Sequence, residues 1–254
     1  MEKKSVYEID SLYRDKFRVK GFEFGEGEKS ICIVGNIRGN EVQQIYICSQ
    51  LVKKLKSLEN QGKIFKGHKI LVIPSMNPYS MNSRERFWPT DKTDINRMFP
   101  GYDMGETTQR IAAGIFEEIK DYKFGIQFAS FYMPGRFMPH VRMMQTGFEN
   151  VDMANKFGMP YVVLRKIRPY DTTTLNYNLQ IWETNAFSIY STSTTEIDKE
   201  SAKETIRSVL RFLAKQNIVK YTTHDGYKSS VVRDSDMISA RTKTAGIFES
   251  KVKV

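Results

Sequence analysis

The chain has 254 residues, 40% of them hydrophobic, and a formal net charge of +10. This is enough apolar material for the core of one large α/β domain, and it excludes disorder as the default. Basic residues are interspersed with acidic ones rather than gathered in a tract, which argues against nucleic acid as a partner, while the net positive charge suits an anionic ligand.

The N-terminus, Met1-Glu2-Lys3-Lys4-Ser5-Val6-Tyr7-Glu8, carries charge where a signal peptide needs an apolar stretch, and no later run approaches membrane-spanning length. Cys32 and Cys48 form neither a CxxC pair nor a disulfide framework, so buried free thiols in a reducing compartment are expected. A cytoplasmic protein with no membrane partner follows from these features. Oligomeric state is not legible in them.

In chain order, residues 30–34 form a short apolar run and predict a buried strand that ends in the turn Gly35-Asn36-Ile37-Arg38-Gly39-Asn40-Glu41. After Glu41, Ile45, Cys48, Leu51, Val52 and Leu55 recur at helical spacing. A second strand is predicted over 69–73. Residues 75–101 have little apolar periodicity but contain Asn77-Pro78, Arg84, Arg86, Trp88-Pro89 and Asp94 to Gly101, and long ordered loops of that kind are usually functional. Ile111, Ile115, Phe116 and Ile119 predict a helix after Thr107, and residues 124–128, 161–164 and 186–190 predict three more strands. Asp198 is placed to cap a last helix with Ala202, Ile206, Val209, Leu210 and Leu213 on its apolar face. Strand and helix alternate, so an α/β sheet flanked by helices on both faces is expected over 1–219, with a polar, β-rich tail over 220–254 that includes pieces at 230–232 and 246–248. In such sheets ligands gather at the carboxyl ends of strands, where Arg38, Glu41, Asn77, Gln127 and Tyr190 would lie.

Several of these segments, in order, resemble the succinylglutamate desuccinylase and aspartoacylase branch of the zinc carboxypeptidase superfamily. Ile37-Arg38-Gly39-Asn40-Glu41 is similar to that family's Gly-x-His-Gly-x-Glu turn. Asn77-Pro78 followed by Asp94-Ile95-Asn96-Arg97-Met98-Phe99-Pro100-Gly101 is similar to its Asn-Pro loop and Asp-Leu-Asn-Arg-x-Phe-Pro-Gly segment. Gly125-Ile126-Gln127 and Pro139-His140-Val141-Arg142 resemble its Asp-Leu-His strand end and Pro-His-Val-Arg. The resemblance spans roughly residues 30–218, with Asn-Arg-x-Phe-Pro-Gly its most specific part. It implies the carboxypeptidase-like mixed sheet, and a small β domain that begins near residues 231–249, shortly before the sequence given ends at Val254.

The resemblance also implies that two zinc-binding histidines are replaced, by Arg38 and Gln127, while the glutamate ligand is kept as Glu41. The catalytic glutamate falls near Tyr190, a phenol and thus a poor base at neutral pH; Asp171, Glu183 and Glu196 are close enough in sequence to supply a displaced carboxylate. A glutamate, an amide and a guanidinium do not make a zinc site, which needs about three protein ligands. The expectation is an Arg38–Glu41 ion pair with a hydrogen bond from Gln127, no resident cofactor, and zinc only if His140 joins Glu41 in a rearranged site. Asn96 and Arg97 correspond to the family's carboxylate-binding pair, with help from Arg84 or Arg86; Arg97 paired with Asp94 or Asp91 in a merely stiffened loop is the competing arrangement. Three readings therefore stand open: a protein that binds a carboxylate without the usual zinc, a metal-dependent amidohydrolase, and a structural subunit whose cleft is filled by its own Arg38, Arg97 and Tyr190.

Overall fold

The computed structural model describes residues 1–10, 15–132, 135–238 and 244–246. Its strands are β1 (Glu2–Ile9), β2 (Phe17–Phe24), β3 (Gly27–Val34), β4 (Gly67–Ile73), β5 (Phe124–Ala129), β6 (His140–Met144), β7 (Tyr161–Arg165), β8 (Asn185–Tyr190) and β9 (Ser230–Arg233). The α-helices are α1 (Val42–Asn60), α2 (Pro78–Ser83), α3 (Thr107–Ile119), α4 (Val151–Asn155), α5 (Leu175–Ile181) and α6 (Lys199–Lys215). All nine strands join one mixed sheet in the order β1-β2-β4-β3-β5-β8-β6-β7-β9.

The five predicted strands and three predicted helices are present. Asp198 accepts a hydrogen bond from the backbone of Ser201, the N-cap role its sequence position suggests. The edge hairpin β1-β2 and strand β6 were not anticipated. β1 is mostly solvated, so its charged sequence carries little apolar signal, and β6 was visible only as a motif. Residues 75–101 hold the short helix α2 and a 3-10 turn at Ile95–Arg97. Of the expected tail, Ser230–Arg233 extends the main sheet beside β7, whereas the piece at 246–248 lies mostly outside the described residues.

The sheet has two differently covered faces. On one, Ile33, Ile126, Phe128, Phe187, Ile189 and Val141 pack against α1 and α6; on the other, Cys32, Val34, Leu71 and Ala186 pack against α3 and α5. Strand alternation fixes this division, because paired residues on neighbouring strands share a face. The chain leaves β3 through α1 to β4 on one side and returns through α3 to β5 on the other. The carboxyl end of β3 is therefore a topological switch point, where a parallel sheet opens a crevice.

Phe212 of α6 anchors the first face. It is fully buried, stacked on Phe157 with ring centroids 4.2 Å apart, and edge-on to Phe124 and Phe187 at 5.3 and 5.5 Å. Phe212→Ala is expected to cost about 3–5 kcal/mol in a denaturant-unfolding measurement.

Candidate functional site

The turn after β3 is held by its own side chains. Asn36, at φ 38°, donates through its side-chain amide to the Arg38 carbonyl at 2.6 Å and accepts at 2.6 Å from Ser75. Gly39 lies so close to α2 that an added Cβ would come within 2.2 Å of the Ser80 backbone, so only glycine fits there. The Arg38 backbone N–H donates to Glu41 Oε2 at 3.0 Å, and the Glu41 N–H donates back to the Arg38 carbonyl at 3.0 Å.

This geometry buries both Arg38 and Glu41, at 5% and 1% exposure. The expected Arg38–Glu41 pair forms, with Nη1 3.4 Å from Oε1. A closer partner is Asp94, whose two carboxylate oxygens accept from Arg38 Nε at 3.2 and 3.0 Å. Arg86 adds a second cation to Asp94 at 3.2 Å. Burial works against the Arg38 charge, but Glu41 and Asp94 outweigh it and hold the guanidinium even more firmly protonated than usual. The anticipated hydrogen bond from Gln127 to this pair is absent among the described residues; Ser130 donates to Glu41 Oε1 instead. Ser130 follows the end of β5 and so reaches back over the turn, a placement that no local pattern encodes.

Arg38 lines one end of a cavity of about 440 Å³ whose wall also includes Asn96, Arg97, Gln127, Tyr132, Arg142, Arg165, Asn176, Ser188 and Tyr190. The floor is a single row across the sheet, in which Gln127 pairs with Ser188 and Ser188 with Arg142. In the next row Ala129, Tyr190 and His140 are paired. Here the face covered by α3 and α5 turns polar, which is how strands this buried present hydrophilic groups to a ligand.

The candidate residues separate within this cleft. Neither Asp94 nor Asp91 pairs with Arg97. Its guanidinium meets Asp171 at 3.7 Å, the Tyr170 carbonyl, and the Tyr132 hydroxyl at 2.7 Å. Asn96 Oδ1 accepts from the Leu175 backbone at 3.2 Å, tying the loop to α5. Arg86 lies 4.0 Å from the centroid of the Tyr132 ring. Burial alone would raise the Tyr132 pKa, but Arg38, Arg97 and Arg86 together lower it. Tyr190 accepts from Arg142 Nη1 at 2.8 Å, with the guanidinium 4.0 Å from its ring centroid.

His140 stacks on Tyr190 with ring centroids 4.6 Å apart, with Nδ1 2.9 Å from the Met138 carbonyl. It is not among the residues that line the cavity. Among the described residues, no group of three or more His, Cys, Asp and Glu side chains could hold a metal ion. Asp94 as the partner of Arg38, Ser130 and Asn176 were missed from sequence. Their one available signal was the acidic residue two positions before Asn96, a position shared with the family segment.

Two predictions follow from this packing. Asp94→Ala leaves the buried Arg38 with one carboxylate and should cost about 3–5 kcal/mol in denaturant unfolding, whereas Glu85→Ala, which breaks the exposed pair with Lys92, should cost less than about 1 kcal/mol. Burial, with Arg142 and Arg165 nearby, pushes the His140 pKa down to about 4, against the opposing hydrogen bond to Met138. A depressed histidine pKa means that the unfolded chain binds the extra proton first. Its contribution is thus fully present above about pH 6.5 and is lost as pH falls towards 4, about 3 kcal/mol in all. His140→Gln should flatten the stability profile in that window.

The sequence profile of the Succinylglutamate desuccinylase/Aspartoacylase catalytic domain matches residues 28–215. N-alpha-acetyl-L-2,4-diaminobutyric acid deacetylase of Halomonas elongata is 31% identical over 88 residues, which is 35% of this chain and only 24% of that relative. Among solved structures, the fold is similar to a succinylglutamate desuccinylase/aspartoacylase from Rhodobacter sphaeroides, with a TM-score of 0.74, 17% identity and coverage of 91% of this chain and 72% of that one. It is equally similar to a putative member from Shewanella frigidimarina, at TM-score 0.74 and 16% identity, covering 100% of this chain and 81% of that one. The profile covers well over half of the sequence and the sheet order accounts for the placement of its motifs: this chain belongs to the succinylglutamate desuccinylase/aspartoacylase family.

Proposed function

We propose that this protein binds a carboxylate-bearing small molecule or peptide end in the cleft beside Arg38, without the zinc implied by its family. The observation that carries the reading is the position of the Arg38 guanidinium, buried between Glu41 and Asp94. A catalytic zinc takes about three nitrogen, sulfur or oxygen ligands and an open position. Arg38 and Gln127 contribute a cation and a weak amide donor beside Glu41, so these residues do not fit the metal. An arginine lacks a lone pair to give and repels a second cation at that distance.

The ligand class is supported by the charge of the wall. Arg38, Arg97, Arg142, Arg165 and Arg168 line the cavity, against Asp171 as its one acidic lining residue among those described. The relative named as an N-acetyl amino acid deacetylase bears on the same class, since its substrate name describes an amino acid carrying a free carboxyl group. That name also favours a second reading, a metal-dependent amidohydrolase working through a rearranged site around Glu41.

Metal analysis after purification with zinc separates the two. Sub-stoichiometric zinc is expected in the wild type, together with a rise in melting temperature on titration with N-acyl amino acids. Near-stoichiometric zinc that disappears in Glu41→Ala would establish the hydrolase reading instead, and no stabilisation by any carboxylate would favour the self-filled structural subunit. If the family positions are correctly matched, the combined substitution Arg38→His, Gln127→His and Tyr190→Glu should create zinc affinity.

A further inference from the structure

Arginine and tyrosine alternate along the mouth of the cavity. The Arg86 guanidinium lies 4.0 Å from the centroid of the Tyr132 ring, and the Tyr132 hydroxyl accepts from Arg97 Nη2 at 2.7 Å. The Arg97 guanidinium is in turn 5.2 Å from the Tyr170 ring, whose hydroxyl accepts from Arg168 Nη1 at 2.5 Å. Three separate segments supply this row: the loop over 75–101, the residues after β5 and those after β7. A planar guanidinium stacks on an aromatic face, and a tyrosine offers both that face and a polar tip, so the two residue types brace one another.

The row is open to solvent. Tyr132 is 61% and Tyr170 51% exposed, and Arg168 is exposed as well. Tyr132, Arg97, Tyr170 and Arg168 also line the cavity, so together they mark its rim. A molecule held wholly inside would leave both rings in water. A chain that enters by one end and continues outward would cover them. Extended chain advances about 3.3 Å per residue, so five neighbouring side chains correspond to several residues of ligand. Tyrosine and arginine are also the residues on which protein contacts concentrate their binding energy.

Charge narrows the choice of occupant. Of the three arginines, Arg86 meets Asp94 and Arg97 meets Asp171, while Asp94 already serves Arg38. Arg168 forms no ion pair with a carboxylate among the described residues, and its side chain is bonded to the Tyr170 hydroxyl instead. The rim is therefore short of negative charge, which an acidic chain would supply.

We infer that the cleft receives the free carboxyl end of an acidic peptide, with its last residue in the cavity and the preceding acidic residues along the rim of Arg86, Tyr132, Arg97, Tyr170 and Arg168. This rests on the reading that the cleft binds a carboxylate, and it selects the peptide end over the small molecule. Arg97 stands mid-row between the two tyrosines and joins the cavity to its rim.

The test is calorimetric titration of the full chain with N-acetylglycine and with an N-acetylated five-residue peptide of glutamate and aspartate that ends in glycine, its C-terminus free or amidated. The free-acid peptide should bind about 10- to 100-fold more tightly than N-acetylglycine, and amidation should cost at least about 10-fold. Tyr170→Ala and Arg168→Gln, with folding checked by circular dichroism, should each lower the ratio of peptide to N-acetylglycine affinity about 5- to 10-fold. Equal affinity for the peptide and N-acetylglycine in the wild type, which needs no variant, would overturn the inference and leave carboxylate binding intact. Undiminished affinity for the amidated peptide would overturn recognition of the chain end, and a ratio unchanged in both variants would overturn the rim. An equal gain from a peptide with lysine at the acidic positions counts against the charge argument, and tighter binding of a ten-nucleotide oligothymidylate than of the acidic peptide would replace the peptide with nucleic acid. A wild type that binds neither N-acetylglycine nor the peptide removes the carboxylate reading itself, and this inference with it.

Discussion

A guanidinium buried as deeply as Arg38 is costly unless carboxylates meet it, and meeting it organises this end of the molecule. Glu41 is brought by the turn itself, and Asp94 by a loop more than fifty residues further on. Asp94 also accepts from the Asn96 backbone N–H at 3.0 Å, which starts the 3-10 turn, and Asn96 in turn accepts from the first residue of α5. One ion pair thus ties together the end of β3, the long loop and the helix that roofs the cavity. The cation that organises these elements is covalently attached to the turn itself.

The cleft combines that self-supported corner with a floor whose donors are largely unspent. Gln127, Ser188 and Arg142 lie in register across three strands, two parallel and one antiparallel, because the reversal at β6 still brings alternate residues to the same face. On the opposite face of those strands Ile126, Phe128, Val141, Phe187 and Ile189 form an apolar layer that packs against α1 and α6. The buried floor is rigid in consequence, and Arg142 and Arg165 extend from strand positions, whereas Arg38, Arg97 and Arg168 come from turns and loops.

Much of the fold was legible in the chain. Short β-branched runs and helical spacing identified the central strands and α1, α3 and α6, since these elements bury one face and carry a strong period. The hairpin β1-β2 escaped because it lies at a sheet edge, where charged residues are tolerated and the apolar signal is thin. Strand β6 escaped for a different reason: Arg142 faces the cavity, so a buried strand carries a cation at a position where a core strand would be apolar.

The sequence by itself determined the family and the turn that carries Arg38 and Glu41, because these are properties of residue identity and spacing. Only the tertiary structure decided who partners whom. Asp94 rather than Gln127 completes the Arg38 pair, Asp171 rather than Asp94 meets Arg97, and among the described residues Arg142 has no carboxylate partner. Such pairings depend on where a loop of some twenty-five residues and a crossover helix come to rest. Coulomb and hydrogen-bond energies act over a few ångströms, and that distance is set by packing rather than by separation along the chain.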